Sequence, residues 1–447
     1  MPTIHEPARD VPVIHDCDLC VLGGSCTGVF AAVRAARLGA TVAIVERLNA
    51  FGGTATHGLV NIWHSIHDTA GDRPIIGGLS VEVVKRLERR GAVALHARNP
   101  NRWCEFNSEE LKLELDELVV EHDIRPFLHT SYCAPVAGAD GRVEAVLVEN
   151  KDGRGAIRAR QFIDATGDGD LMAHLGQPYT IGTQLQPPTV CARLRNFWRE
   201  GLDFQALHRQ HRQEFGLEPD AGWSGPVPGL PDTQLFAETH VFGANCATAD
   251  GLTRAEIEGR RQLRACMDML RKHAPGQKPL ALEAIASAIG IRETRRFAAE
   301  YTVTEEDLLW GRPFADTVAQ GSYRIDLHNP TGGGFVFKYL DGTMVSHDAA
   351  GTATGRWRGA VAQDPTWYNI PYRVMVSRRL PNAIMAGRMV AADRGAYGAL
   401  RVMINLNQLG EAAGVAAVLA NRHGIPVATV APAELRQTLG AGGSILL

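Results

Sequence analysis

The sequence has few aromatic residues, 6% of 447, and no surplus of basic charge: 46 Lys and Arg stand against 49 Asp and Glu, for a net charge of −3. A dedicated nucleic-acid binder carries a basic excess, so a nucleic-acid partner is not expected. Long hydrophobic runs are missing too. The C-terminal stretch Ala412 to Ala420 is nine residues, whereas a membrane span needs about 20. The first residues, Met1 to Asp16, contain His5, Glu6, Arg9, Asp10 and three prolines without an apolar stretch, so they read as a loose arm and not as a secretory signal. Repeats and low-complexity tracts are lacking, and at 45% hydrophobic and 21% charged the composition is that of a globular chain with a sizeable core.

Cysteine is sparse and scattered, at 17, 20, 26, 104, 133, 191, 246 and 266, which suits reduced thiols in a cytoplasmic protein. Cys17 and Cys20 have redox spacing but fall inside the strand pattern Cys17-Asp18-Leu19-Cys20-Val21-Leu22. Residues three apart on a strand point to opposite faces, so a disulfide there would be strained. No metal site is expected. His64 and His67 are spaced i,i+3 without further ligands and read as a pocket or core pair.

What the chain has in excess is glycine, 47 residues, above the usual share of about 7%. The first group follows a buried strand pattern, Asp18 to Leu22, and reads Gly23-Gly24-Ser25-Cys26-Thr27-Gly28. A helical pattern runs on to Gly39, and a second strand, Thr41 to Val45, ends in Glu46. Strand, glycine turn, helix, strand and acid form the dinucleotide-binding unit. Gly23 permits the tight turn, Gly28 lets helix and strand pack closely, and the helix N-terminus faces a pyrophosphate. Glu46, 23 residues after Gly23, stands where an acid binds ribose hydroxyls. Ser25 replaces the middle glycine and is the smallest polar substitute.

Three later segments bear on which dinucleotide is bound: Phe51-Gly52-Gly53-Thr54-Ala55-Thr56, Phe162-Ile163-Asp164-Ala165-Thr166-Gly167-Asp168-Gly169-Asp170 and Asn382-Ala383-Ile384-Met385-Ala386-Gly387-Arg388. The last precedes a small-residue helix from about Ala399 to Ala420. Together the segments resemble the FAD-dependent oxidoreductase family with the glutathione-reductase-type FAD fold. The nearest kin are broad flavoproteins with Gly-Gly-x-Ala-Thr after the ribose acid, Ile-Asp-Ala-Thr-Gly-Asp-Gly-Asp in mid-chain, and a late Ala-Gly-Arg followed by Leu-Gly-Glu-Ala-Ala-Gly, here Leu409 to Gly414. The resemblance covers about Asp16 to Ala420.

The resemblance implies FAD as cofactor. Gly23, Ser25 and Gly28, with Gly24, Cys26 and Thr27 of the same turn, would hold the pyrophosphate, and Glu46, beside Arg47, the adenosine ribose. Gly52, Gly53 and Thr54 would run along the pyrophosphate and ribityl side, with Ala165, Thr166 and Gly167 under the cofactor. Gly387, Arg388 and a helix N-terminus near Arg401, Val402 and Met403 would face the ribityl and the flavin pyrimidine, and Val136 would line the adenine. The implied architecture is α/β: a Rossmann-like FAD-binding domain, with a parallel sheet and a small antiparallel ribbon, interrupted by an α+β substrate domain. The expected boundaries are a flexible arm over 1–15, the first part of the FAD domain over 16–184, a substrate or cap domain over 185–370, the closing part over 371–425 and a tail over 426–447.

Between these landmarks, Asn107-Ser108-Glu109-Glu110 predicts a capping-box helix start. Helices are expected over 254–273 and 280–288. The run Gly290 to Arg296 reads either as a solvated helix face, with Glu293 paired to an arginine, or as a cationic wall, containing Arg292, for an anionic substrate or for the flavin. Asp326 and His328 share one face of a strand, and an acid beside a histidine suits a general base. His57, four positions after Gly53, is the other acid/base candidate, and Tyr372 is placed to reach the flavin edge. Gly332 to Gly334 and the glycines at 440–443 lack the context of a second dinucleotide fingerprint. The expected activity is therefore hydride transfer between a small polar organic substrate and flavin N5, with electrons leaving to oxygen, a quinone or a carrier. An NAD(P)H-using flavin monooxygenase or reductase, a tRNA-modifying type of flavoprotein and a homo-oligomeric assembly stay open.

Overall fold

A computed structural model describes residues 2–96, 103–198, 200–329, 333–348 and 351–447. Gly332 lies outside them. The first strand, β1 (Val13–Leu22), leads through the glycine turn into α1 (Cys26–Arg37) and β2 (Val42–Val45). β1 starts earlier than the sequence pattern suggests, because Val13 and His15 pair with Ala156 and Ile157.

Helix α2 (Ser108–Glu121) follows. Asn107 caps it by accepting from the Glu109 N–H at 3.0 Å, in place of the expected reciprocal box with Glu110. Next come β3 (Arg125–Phe127), β4 (Ser131–Ala137), β5 (Val143–Asn150) and β6 (Gly153–Asp164). The sheet order is β3-β2-β1-β6-β5-β4. β3, β2, β1 and β6 are parallel, and β4 and β5 form an antiparallel ribbon on β6. β6 is long enough to serve both parts: residues 153–158 pair with β5, while Phe162 to Asp164 pair with the late strand β15 (Ala383–Met385).

Among the described residues, the intervening chain builds two short two-stranded sheets and two four-stranded ones. One contains β7 (Ala192–Arg195), β8 (Trp223–Val227), β9 (Leu230–Ala237) and β10 (Ala281–Ile285) in the order β8-β9-β7-β10, with α3 (Ala249–His273) between β9 and β10 in sequence. The helix expected over 280–288 is instead the edge strand β10. Ala, Leu and Glu favour a helix locally, but pairing with β7 decides the outcome. The other sheet is a meander of β11 (Ile325–His328), β12 (Phe335–Lys338), β13 (Thr343–Asp348) and β14 (Gly351–Arg356). The run containing Arg292 is no solvated helix. Glu293 is buried and accepts from the Gln186 N–H at 3.1 Å, with Arg296 at 3.5 Å from its other oxygen, and Arg295–Phe297 is a short strand.

The chain returns to the first sheet through β15, α4 (Arg394–Leu400) and α5 (Met403–His423). The single helix expected from Ala399 is thus two helices, bent by 88° at Arg401 and Val402. Among the described residues no single helix is long and apolar enough to cross a membrane.

Helix α5 lies against α1 at backbone distance. A Cβ on Gly410 would sit 2.1 Å from the Thr27 carbonyl oxygen, and one on Gly414 2.2 Å from that of Ala31. The Leu-Gly-Glu-Ala-Ala-Gly motif is therefore a packing motif: two glycines one turn apart remove the side chains that would hold the helices off. Between them, Glu411 is buried beside Arg34 at 3.5 Å and accepts from the Leu79 N–H at 3.0 Å. A Gly414→Val substitution is expected to overpack this contact and lower stability by about 1–3 kcal/mol. Chemical denaturation of the two proteins checks it, and an unchanged midpoint would refute the packing role.

Candidate active site

The parallel strands end at one level, and a cavity of about 560 Å³ opens there. This is where open α/β sheets take their ligands. The peptide leaving β1 turns at Gly23, whose φ of +96° is strained for any residue with a side chain, and a Cβ there would sit 2.4 Å from the Ala165 oxygen. Ser25 caps α1, its Oγ accepting from the Gly28 N–H at 3.3 Å. Cys26 and Thr27 begin the helix at the cavity wall, so its N-terminal N–H groups and positive dipole end lie beside the open space.

Gly23, Ser25, Cys26, Thr27, Glu46 and Arg47 line one end of the cavity, and Gly52, Gly53 and Thr54 continue the wall. Ala165, Thr166, Gly167, Gly387 and Arg388 come next, followed by Arg401, Val402 and Met403 at the start of α5. Gly24 and Gly28 stand behind this surface. Gly24 donates its N–H to Glu46 Oε2 at 2.7 Å, and a Cβ on Gly28 would collide with the Gly23 oxygen at 1.9 Å. Glu46 is further fixed by the Leu48 N–H at 2.9 Å. Val136, expected near an adenine, is on β4, is 39% exposed and does not line the cavity, because the β4–β5 ribbon carries it outward.

Asp164 ends β6 in full burial and organises the turn after it, accepting from the Thr166 hydroxyl at 2.7 Å and N–H at 3.1 Å and from the Met172 N–H at 3.1 Å. Burial raises its carboxyl to about 6. Asp168, next in the same motif, pairs with Arg388 and accepts from Thr294 Oγ1 at 2.7 Å.

His57 lines the cavity with both ring nitrogens engaged. Nε2 donates to the Ala50 carbonyl at 2.8 Å, which leaves Nδ1 to accept from Ser287 Oγ at 2.9 Å. This residue is a fixed wall and has no nitrogen left for proton transfer. Tyr372 is a correction: it is buried in the core, its hydroxyl donates to the Val427 carbonyl at 2.9 Å, and it does not line the cavity. His64 and His67 part company. His64 lines the cavity against the Tyr323 ring (4.1 Å between centroids), and the His67 carbonyl accepts from Ser322 outside it.

The other end of the cavity is polar and crowded with charge. Asp326 and His328 face one another as the strand pattern requires, at 3.8 Å. Asp326 also accepts from the Tyr323 hydroxyl at 2.9 Å and from Arg401 at 3.4 Å. Burial opposes its charge, yet Arg401 and Arg324 hold the carboxyl well below the usual range, so it is ionised. Burial, with the Arg292 guanidinium nearby, pushes His328 well below 6.5 and outweighs the pull of Asp326. The sequence expectation of a more basic imidazole is thus reversed, and His328 is neutral.

Asp220 and His240 carried no motif. His240 comes just after β9, and its buried Nδ1–H donates to Asp220 Oδ1 at 3.0 Å. Its ring stands edge-to-face on His328 at 4.7 Å, and Arg292 Nη2 lies 3.5 Å from its Nε2. Burial lowers the His240 pKa against the pull of Asp220. The ligand atoms of Asp220, His240 and His328 lie within 4.8 Å of one another. The His240–Asp220 hydrogen bond and the adjacent guanidinium make this a hydrogen-bonded cluster and not a cation site. The cavity thiols of Cys26 and Cys191 are each pushed by burial up to about 12, so both are protonated. All eight cysteines are free.

A sequence model of the FAD dependent oxidoreductase family matches residues 18–439. The chain belongs to this family. A search of curated proteins finds no match. Among solved structures, a geranylgeranyl bacteriochlorophyll reductase-like protein from Thermoplasma acidophilum is 11% identical over 96% of this chain and 84% of its own, with a TM-score of 0.48. A flavin-dependent brominase is 12% identical over 94% and 83%, with a TM-score of 0.46. The p-nitrophenol 4-monooxygenase of Pseudomonas putida is 11% identical over 64% and 71%, with a TM-score of 0.40.

FAD is the cofactor of this oxidoreductase, and the residues present suit it. The cavity runs from a helix N-terminus and a buried acid to a second helix N-terminus, through backbone too close for side chains. The buried Arg401 Nε, Arg388 Nε and Asn407 Oδ1 at its wall have no hydrogen-bond partner among the described residues.

The two depressed imidazoles have a consequence for this FAD-dependent oxidoreductase. Below about pH 6.5 the unfolded chain binds protons at His240 and His328 that the folded chain refuses. Their contribution to stability is full above that pH and declines as pH falls. The melting temperature of wild type is therefore expected to fall more steeply than that of His328→Gln between about pH 7.5 and pH 5. Identical slopes would contradict the neutral state of His328.

Proposed function

We propose that this FAD-dependent oxidoreductase transfers a hydride between a carbon of a small polar organic substrate and flavin N5, and that His328 takes the accompanying proton. The reading rests on one observation above all. A neutral histidine facing an ionised carboxylate stands at the polar end of a cavity whose other end is a dinucleotide-binding turn.

In this reading Gly23 and Ser25, with the α1 N-terminus, hold the pyrophosphate, and Glu46 holds the adenosine ribose. Thr54, Ala165 to Gly167, Gly387 and Arg388 pass along the ribityl chain. The α5 N-terminus at Val402 and Met403, with Arg401, faces the pyrimidine, where positive potential favours negative charge. When bound, the flavin supplies a reversible two-electron acceptor.

The protein then has three tasks. It closes the site between the first sheet, the β8-β9-β7-β10 sheet and the β11–β14 meander, which excludes water. It orients the substrate so that its C–H meets the acceptor. It receives the proton of the substrate hydroxyl at the His328 imidazole, as the C–H pair of electrons leaves and the carbonyl forms. The ionised Asp326, 3.8 Å away, stabilises the imidazolium that results. Oxygen, a quinone or a carrier removes the two electrons afterwards.

Anaerobic bleaching of the bound flavin by a panel of small alcohols and hydroxy acids tests this. His328→Gln is expected to retain FAD and to bleach about 10²–10⁴-fold more slowly with any substrate the wild type accepts. Tyr372→Phe, remote from the cavity, is expected to match wild type. Equal rates for wild type and His328→Gln would remove His328 from the chemistry.

A further inference from the structure

Arg292 differs from the other arginines at this end of the cavity. Arg388 pairs with Asp168, and Arg401 with Asp326 at 3.4 Å. The guanidinium of Arg324 packs over the Phe337 ring at 3.9 Å. Arg292 donates to the Pro187 carbonyl and to Thr189 Oγ1 at 2.6 Å, and lies 3.5 Å from His240 Nε2, all of them uncharged partners. No described carboxylate comes within ion-pair distance of it.

A cation shielded from bulk water without a counter-ion is costly, and its cost is relieved when an anion joins it. Burial and the neighbouring Arg401 lower the Arg292 pKa to about 10, the direction expected of a cation lacking a partner. Of the acids around it, Asp326 is engaged by Arg401 and Tyr323, and Asp220 by His240 and the Gly334 N–H. With both histidines neutral, Arg292, Arg324, Arg388 and Arg401 outnumber Asp168, Asp220 and Asp326 by one charge.

The position of this surplus charge selects its ligand. Arg292 and His328 both abut the His240 ring, one at its Nε2 and the other edge-to-face. A substrate that engages both groups presents an anion to Arg292 and a hydroxyl to His328, and the smallest organic molecules that carry a carboxylate and a hydroxyl together are the 2-hydroxy carboxylates. The planar fork of a guanidinium matches a carboxylate in bidentate fashion.

We infer that the substrate is a 2-hydroxy carboxylate, its carboxylate on Arg292 and its hydroxyl at His328. This rests on the flavin-site reading given above. In that orientation the 2-carbon loses its hydride to the flavin and the hydroxyl proton goes to His328. The product is a 2-oxo carboxylate, and the two electrons pass to the external acceptor.

The test titrates the holoenzyme with oxalate, a planar carboxylate that cannot be oxidised by hydride loss, and with oxamide, its uncharged analogue. Bound FAD is quantified in every sample, so a protein without flavin counts against the cofactor-site reading and not against the anion site. Oxalate is expected to perturb the flavin spectrum saturably, and oxamide not at all. Arg292→Met is expected to keep FAD and to weaken oxalate at least tenfold. Arg292→Lys should fall between the two and serves where the Met variant fails to fold. The inference is overturned if oxalate gives no saturable change on flavin-loaded wild type, if the Arg292 variants bind oxalate as wild type does, or if they shed FAD while their oxalate affinity is unchanged, which would place Arg292 on the cofactor.

Discussion

Backbone must lie against backbone beside the cavity, and the rest of the structure depends on that contact. The turn after β1 passes under the turn after β6, α1 starts against that turn, and α5 lies on α1, each at a distance where a Cβ would collide with a carbonyl oxygen. This compactness brings five parallel strands to a common level and leaves a long open channel at their carboxyl ends. It also fixes two helix N-termini toward one cavity, where their dipoles add positive potential to that of the lining arginines. The glycine excess reflects this requirement.

Charge at the far end follows a different logic. Neutral histidines, ionised aspartates and arginines share a small space shielded from water, where each group sets the state of its neighbours. Asp326 stays ionised because Arg401 and Arg324 outweigh its burial. His328 stays neutral because burial, with Arg292, acts against its charge. In the proposed reading, catalysis and specificity divide between adjoining groups: a proton acceptor beside a fixed carboxylate, and a cation without a carboxylate partner among the described residues.

Much of this was legible in the sequence where chemistry is local. The strand–turn–helix–strand unit, the Asp164 to Gly169 turn and the Asp326–His328 face depend on residues close in the chain, so spacing reports them. The misreadings arose where distant contacts decide. The 280–288 segment has helical residues but pairs with β7 as an edge strand. Helix α5 begins only after the bend at Arg401 and Val402, within a run of apolar residues that hides the break. Tyr372 sits beside a cofactor strand in sequence but turns into the core. Asp220 and His240, from a loop and a strand end, meet only in the fold, and no spacing announces them. The Leu409 to Gly414 motif was visible as a family resemblance, but its physical meaning as helix packing needed the partner helix.

The central claim is that this cavity holds one FAD along the line of close-packed backbone turns. The most direct measurement is the amount of FAD released per chain when purified protein, reconstituted with FAD and freed of excess, is denatured, for wild type and for Gly23→Val. The account predicts about one FAD per wild-type chain and little or none from the variant, whose side chain would collide with the Ala165 carbonyl. Equal FAD in the folded variant, or none in wild type, would contradict it.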